Sequence, residues 1–362
     1  MRILIITDSY PPELRSASLL MKELADALKQ KGHEVFVVTS YPSHNLADHH
    51  KISFPDIVDE GGIKVLRIRV PKHHNVNFIL KGIIQLLLPL IFWRAIKKNL
   101  KSADIVILHS PPLPLAITAA RAKRYYKAKF ILNLHDFFPQ NAVDLGILKN
   151  QILINFFKDM EKEAYKKADV IVVPSNEHKI FLENKRQISG DKISVIPHWI
   201  DLRAFREAKK TGNFRKKYNL EGKFIFLFAG VLGPSQGLDL VVRLAERLKT
   251  NSEIHFLFVG GGTEKEKLMK MTENKKLSNI SFEDWVSKEE YPSLLKDVDV
   301  GIISLTILNT TPAVPAKLIG YMAGGLPVIG FLHKESEGHL IIKESGCGIS
   351  ADYDNEEAVF EA

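Results

Sequence analysis

The strongest constraint on the fold is a hydrophobic pattern that changes period twice between residues 2 and 39. Arg2 to Thr7 is a continuous apolar run, as in a strand buried on both faces. Ser16 to Lys31 then carries apolar residues at helical spacing and stops at Gly32, and Glu34 to Thr39 is a second buried run. Strand, helix, strand at this spacing predicts a βαβ unit, hence a parallel sheet with right-handed crossovers. Further strands are predicted at Ile63 to Val70, Asp104 to His109, Lys129 to Leu134, Val170 to Pro174 and Ile193 to Pro197, with helices between most of them. From Asp201 to Lys217 the pattern lapses into a polar, basic stretch, and Phe224 to Gly230 starts a second series. That series runs through helices near 238–249, 264–274, 289–296 and 316–323 and strands near 254–260, 280–282, 300–304 and 327–331.

The expected architecture is therefore α/β, with two Rossmann-like domains, 1–205 and 206–362, facing a central cleft at the carboxyl ends of their strands. At 362 residues the chain exceeds the usual size of one hydrophobic core. Cys347 is the lone cysteine, which excludes an internal disulfide framework and a cysteine zinc cluster and predicts a reducing, cytoplasmic setting. The first apolar run is too short for a signal peptide. Phe78 to Trp93 is the most apolar stretch, but Lys81, Gln85 and Pro89 interrupt it, and no transmembrane segment is expected. Within 75–101 these apolar residues are joined by Arg94, Lys97, Lys98 and Lys101. That mixture reads either as an interfacial segment on a membrane surface or as a packed helix with a solvated basic end. His44, His49, His50, His73 and His74 lack a spaced acidic partner set, so no metal site is expected.

Tyr10 to Ser18 lies where the first strand gives way to the first helix, an edge that favours ligands in open sheets. Gly230-Val231-Leu232-Gly233-Pro234-Ser235-Gln236-Gly237 occupies the same place in the second series, and its glycines let a pyrophosphate approach the backbone. Gly260-Gly261-Gly262 reads either as a second such loop or as a tight turn. His135-Asp136 ends a strand with an imidazole beside a carboxylate. Adjacent residues on a strand diverge, so the pair implies no hydrolase dyad, and the bland reading of His135 is a structural hydrogen bond.

Taken in order, these segments resemble retaining glycosyltransferases of family 4, in the bacterial branch that builds O-antigen, capsule and exopolysaccharide, typified by fucosamine transferases. The marks include Tyr10-Pro11-Pro12-Glu13, Ser110-Pro111-Pro112, His135-Asp136-Phe137-Phe138-Pro139, Val195-Ile196-Pro197-His198-Trp199-Ile200-Asp201 and Val314 to Val328. The resemblance implies a GT-B fold and a metal-independent transfer of a hexosyl or N-acetylaminosugar group. The donor is a nucleotide-diphosphate sugar, UDP-linked, held by the second domain. The acceptor is a lipid-linked glycan, and the enzyme is cytoplasmic and peripheral on the inner face of the plasma membrane, reached through 75–101. It further implies catalytic roles for His135 and Asp136, acceptor-side roles for Glu13, Arg15 and Ser16, and donor contacts from Gly230, Gly233, Ser235, Gln236, Gly261, Val286, Pro315, Ala316 and Lys317.

The chain departs from the family pattern in three places. The Arg or Lys pair of the glycine loop falls on Val231 and Gln236, and the two glutamates eight positions apart fall on Pro312 and Gly320. The chain ends at Ala362, where relatives continue into helices that pack back across the first domain, so those helices are expected to be lacking. The missing charged groups leave one competing class, a transferase-like binding or scaffold protein without catalysis. An epimerase needs acidic groups to activate water, and no good set is present. A nicotinamide dehydrogenase lacks its strand-associated Gly-x-Gly-x-x-Gly. A net charge of +8 alone does not make a nucleic-acid binder.

Overall fold

The structure is a computed structural model that describes residues 1–42, 56–71 and 78–361, without the side chains of 78–83. The five histidines from His44 to His74 lie outside the described residues, as do residues 75–77 of the expected interfacial segment. The chain divides into two compact units, Met1–His198 and Trp199–Ala362.

The first unit holds β1 (Arg2–Ile6), α1 (Ser16–Gln30), β2 (Glu34–Ser40), β3 (Ile57–Glu60), β4 (Ile63–Ile68), α2 (Phe78–Asn99), β5 (Ile105–Ser110) and α3 (Leu115–Tyr126). It continues through β6 (Lys129–Leu134), α4 (Gln140–Asp144), α5 (Gln151–Lys167), β7 (Val170–Val173), α6 (Asn176–Arg186) and β8 (Ile193–Val195). Its strands form one sheet in the order β3-β4-β2-β1-β5-β6-β7-β8. All described pairs are parallel except β3 with β4. That hairpin was absent from the sequence expectation. It closes on Gly61 and Gly62, both at positive φ, as a tight two-residue turn requires.

On α2, Ile84, Leu88, Phe92 and Ile96 recur every four residues and are fully or nearly fully buried, while Leu86, Leu87 and Leu90 are exposed. One face of the helix is core and the other is open. The Thr118 hydroxyl donates to the carbonyl of Pro89 at 3.1 Å, tying α3 to α2.

The second unit holds α7 (Arg203–Glu207), α8 (Asn213–Lys217), β9 (Phe224–Val231), α9 (Asp239–Arg247), β10 (Ile254–Gly261), α10 (Lys265–Asn274), β11 (Ile280–Glu283) and α11 (Tyr291–Asp297). β12 (Val300–Ser304), α12 (Ala316–Gly324), β13 (Val328–Leu332), α13 (Gly338–Ser345), β14 (Gly348–Asp352) and α14 (Glu356–Glu361) complete it. The sheet order is β11-β10-β9-β12-β13-β14, parallel throughout. Across its strands Phe226 stacks on Phe256 at 5.2 Å and Phe258 on Phe282 at 4.9 Å, an aromatic ladder that fixes register.

The polar stretch from Asp201 folds onto this second core, ahead of the 205/206 boundary expected from sequence. Phe205 is buried there and Ile200 packs against the same cluster. The fully buried Asp297 carboxylate accepts the N–H groups of Thr211, Gly212 and Phe214, satisfying the orphan donors where α8 begins.

Candidate functional site

In the second domain the site grows from a crowded pair of strand ends. Gly230 and Gly260 face each other in register, both at φ +136°. A Cβ on Gly260 would sit 2.1 Å from the Gly230 carbonyl oxygen, and one on Gly262 would sit 2.2 Å from that of Leu232. Only glycine lets these two loops run so closely together. The Tyr321 hydroxyl, fully buried, accepts the Ala229 N–H at 3.1 Å and donates to the Leu227 carbonyl at 3.3 Å. This pins α12 onto β9. Lys317, one turn earlier on the same face, is thereby carried over Gly230, where a Cβ would meet its Cε at 2.9 Å.

The Lys317 ammonium donates to Gln236 Oε1 at 2.7 Å and lies 4.6 Å over the Phe228 ring. The Gln236 amide in turn donates to Ser235 Oγ at 3.3 Å. Burial lowers the Lys317 pKa to about 8. Pro315 caps α12 and Ala316 opens it, so the positive end of that helix adds to the same charge. Gly230, Ser235, Gln236, Pro315, Ala316 and Lys317 are thus one neighbourhood, and Gly233 lies in the loop between them. The arrangement offers a cation, an amide and a helix start to a phosphate-sized anion. Gly261 lies against the Trp285 indole, where a Cβ would meet Nε1 at 3.0 Å. Val286 packs against the core cluster that holds Tyr321.

In the first domain His135 and Asp136 follow the last residue of β6 and diverge, as adjacent residues do. The His135 ring lies 4.5 Å from that of His109 and 4.7 Å from that of His198. His178 stacks on Phe137 and shares a 2.7 Å hydrogen bond between Nδ1 and Ser175 Oγ. Burial first, and the Arg15 charge second, hold the His109 pKa at about 3, and burial among the other imidazoles holds that of His135 well below its ordinary value. Burial brings His178 and His198 to about 4. All four rings are neutral at pH 7.

Asp136 faces another way. Burial raises its pKa and the Arg15 charge opposes that rise. Arg15 lies 3.4 Å from Asp8, and Asp8 and Glu13 hold its charge in place against burial. Glu13 and Asp8 are buried, and Asp8 Oδ1 has no hydrogen-bond partner among the described residues. Ser16 opens α1 directly after Arg15. Sequence reasoning missed Asp8, His109 and His178 as members of this neighbourhood. Their only local signal was a polar residue at the carboxyl end of an apolar strand or the start of a helix. Among the described residues no group of three or more His, Cys, Asp or Glu side chains is arranged to hold a metal ion. No helix of the described residues is long and apolar enough to cross a membrane.

The sequence pattern of Glycosyltransferase Family 4 matches residues 17–204, and that of Glycosyl transferases group 1 matches residues 210–362. Among curated proteins, the chain is 22% identical over 281 residues to the probable glycosyltransferase WbjE of Pseudomonas aeruginosa, covering 77% of this chain and 70% of that one. It is 26% identical over 351 residues to the putative colanic acid biosynthesis glycosyl transferase WcaI of Escherichia coli K12, covering 91% and 83%. Among solved structures, HepE from Anabaena in complex with UDP and glucose superimposes with a TM-score of 0.68 at 13% identity, over 100% of this chain and 89% of that one. That likeness confirms two Rossmann-like domains of the GT-B type.

Proposed function

The chain belongs to glycosyltransferase family 4, and from that premise we propose that it moves a sugar, with retention, from a nucleotide-diphosphate donor to a lipid-linked glycan in surface polysaccharide biosynthesis. The observation that carries the reading is Lys317, held over Gly230 and bonded to Gln236. The glycine loop lacks a cation of its own, and α12 supplies one together with its positive helix end. A departing diphosphate gains charge as the glycosidic bond breaks, so these groups stabilise the transition state more than the ground state.

The donor is UDP-linked and the transferred group a hexosyl or N-acetylaminosugar, with fucosamine the finer choice within the bacterial branch. The first domain takes the acceptor, with Glu13, Arg15, Asp136 and Asp8 offering hydrogen bonds to its hydroxyls. His135 lies beside the transferred sugar. Because its ring is neutral, it bonds a sugar hydroxyl without repelling the positive charge that develops at the anomeric carbon. The acceptor oxygen bonds that carbon on the face the phosphate leaves, and a phosphate oxygen takes the acceptor proton, so no enzymatic base and no metal ion is required. The enzyme works at the inner face of the plasma membrane, making contact through 75–101.

Binding and turnover with UDP-, GDP- and dTDP-sugars test this, using bacterial lipid-linked acceptors and no added divalent cation. Saturable binding of one nucleotide with product formation supports the transferase. Failure of the folded chain to bind any nucleotide overturns it in favour of the scaffold reading that Val231 and Gln236 invite.

A further inference from the structure

A groove of about 1310 Å³ opens on the first domain between α3, along most of its length, and the C-terminal half of α5. It lies where β6 and β7 begin, lined by Lys129, the first residue of β6, and by Asp169, which precedes β7. His135 and Asp136 follow the opposite end of β6, so the groove is no part of the site above. Seven Lys and Arg side chains line it against two carboxylates, a surplus of five charges. Lys123 pairs with Asp169 at 2.9 Å, and Lys167 and Lys166 reach Glu163 at 3.8 and 4.0 Å. Arg121, Arg124 and Lys127 have no ion pair among the described residues.

Basic residues in the last turn of a helix ordinarily offset its dipole. Two helix ends amount to about one elementary charge, too little to absorb this surplus. The rim decides what the surplus is for. On α2, Leu86, Leu90, Trp93 and Lys97 are three or four residues apart and share one face. Leu86 is 40% exposed and Leu90 42%. Trp93 lines the groove edge-on to Tyr125 at 5.4 Å, and Lys97 lies 5.5 Å over the same ring. On α3, Ile117, Arg121 and Arg124 share a face in the same way, and Ile117 is exposed. Each helix therefore runs along one face from open aliphatic side chains to cations at the groove. A free anion would be served by the cations alone, whereas a bilayer surface also takes the leucines and the aromatic ring.

We propose that this face docks on an anionic bilayer, the groove taking the phosphodiester of a lipid head group while the α2 leucines enter the acyl boundary beside it. This deepens the membrane-contact part of the function proposed above and rests on it.

Co-sedimentation of the full chain with phosphatidylcholine vesicles, with and without phosphatidylglycerol, tests the site. The expected result is binding that needs phosphatidylglycerol and weakens with salt. The double variant Arg121→Glu/Arg124→Glu should then bind at least ~10-fold more weakly. The control Lys270→Glu/Lys343→Glu, the same charge change on exposed residues of the second domain, should bind as wild type. Thermal melts check that each variant folds, with Arg121→Gln/Arg124→Gln as the milder replacement. Binding to neither vesicle overturns the membrane contact and the head-group site together. Equal binding to both vesicles keeps the contact and overturns the head-group site. Equal losses in the groove and control variants also overturn the site. Saturable binding of glycerol phosphate in solution, unaffected by vesicles, would make it a site for a soluble phosphate.

Discussion

The two domains share a parallel α/β core, eight strands with an antiparallel edge hairpin in the first and six parallel strands in the second, yet the carboxyl ends of their sheets carry opposite chemistry. In the first, neutral imidazoles, buried carboxyls and one guanidinium already engaged by Asp8 make a surface suited to hydroxyl groups. In the second, glycines clear the backbone and Lys317 brings a positive charge, which suits phosphates. Alternation of parallel strands and helices supplies such an edge in each domain, and the side chains decide which ligand each edge prefers.

The sharpest break would come from the glycines. Gly260→Ala places a methyl 2.1 Å from a backbone oxygen at φ +136° and should cost ~3 kcal/mol in denaturant unfolding. Gly146→Ala in the first domain, whose Cβ would meet only the flexible Lys149 side chain, should cost about 1 kcal/mol. Equal costs would mean that the close approach of the second-domain loops carries no weight. Next in size, His135→Ala should lower turnover about 100-fold while UDP affinity, read by calorimetry, stays unchanged. A parallel loss of UDP affinity would break the division of labour between the domains.

Lys317→Met should weaken UDP binding roughly 10- to 30-fold, the loss of one charge-assisted bond. The smallest effect concerns pH. With the free-enzyme Lys317 pKa at about 8, its charged form is present below that value and lost above it. UDP affinity should therefore fall between pH 7 and pH 9 by about tenfold at most, and binding at pH 8 should take up protons. Affinity that is flat across this range in wild type, or that still falls in Lys317→Met, would remove Lys317 as the titrating group.

Much of the fold was legible because its signals are local. The strands at Lys129–Leu134 and Val300–Ser304 are as the apolar runs predict, since a strand buried on both faces must be largely apolar. The edge strand Ile57–Glu60 and the last strand, Gly348–Asp352, are not legible in the apolar pattern. Both are partly exposed, so their apolar periodicity is weak. The site was legible only in pieces. Gln236 and Lys317 are 81 positions apart, and nothing in either segment announces the 2.7 Å bond between them.

The sequence by itself determined the two α/β series, because hydrophobic period is written residue by residue and has few ways to be buried. It also placed glycines at the strand ends. Which histidines are neutral and which lysine serves the glycine loop were decided by the tertiary structure. Protonation depends on desolvation and on charges brought near from distant segments, and those distances exist only once the chain has folded.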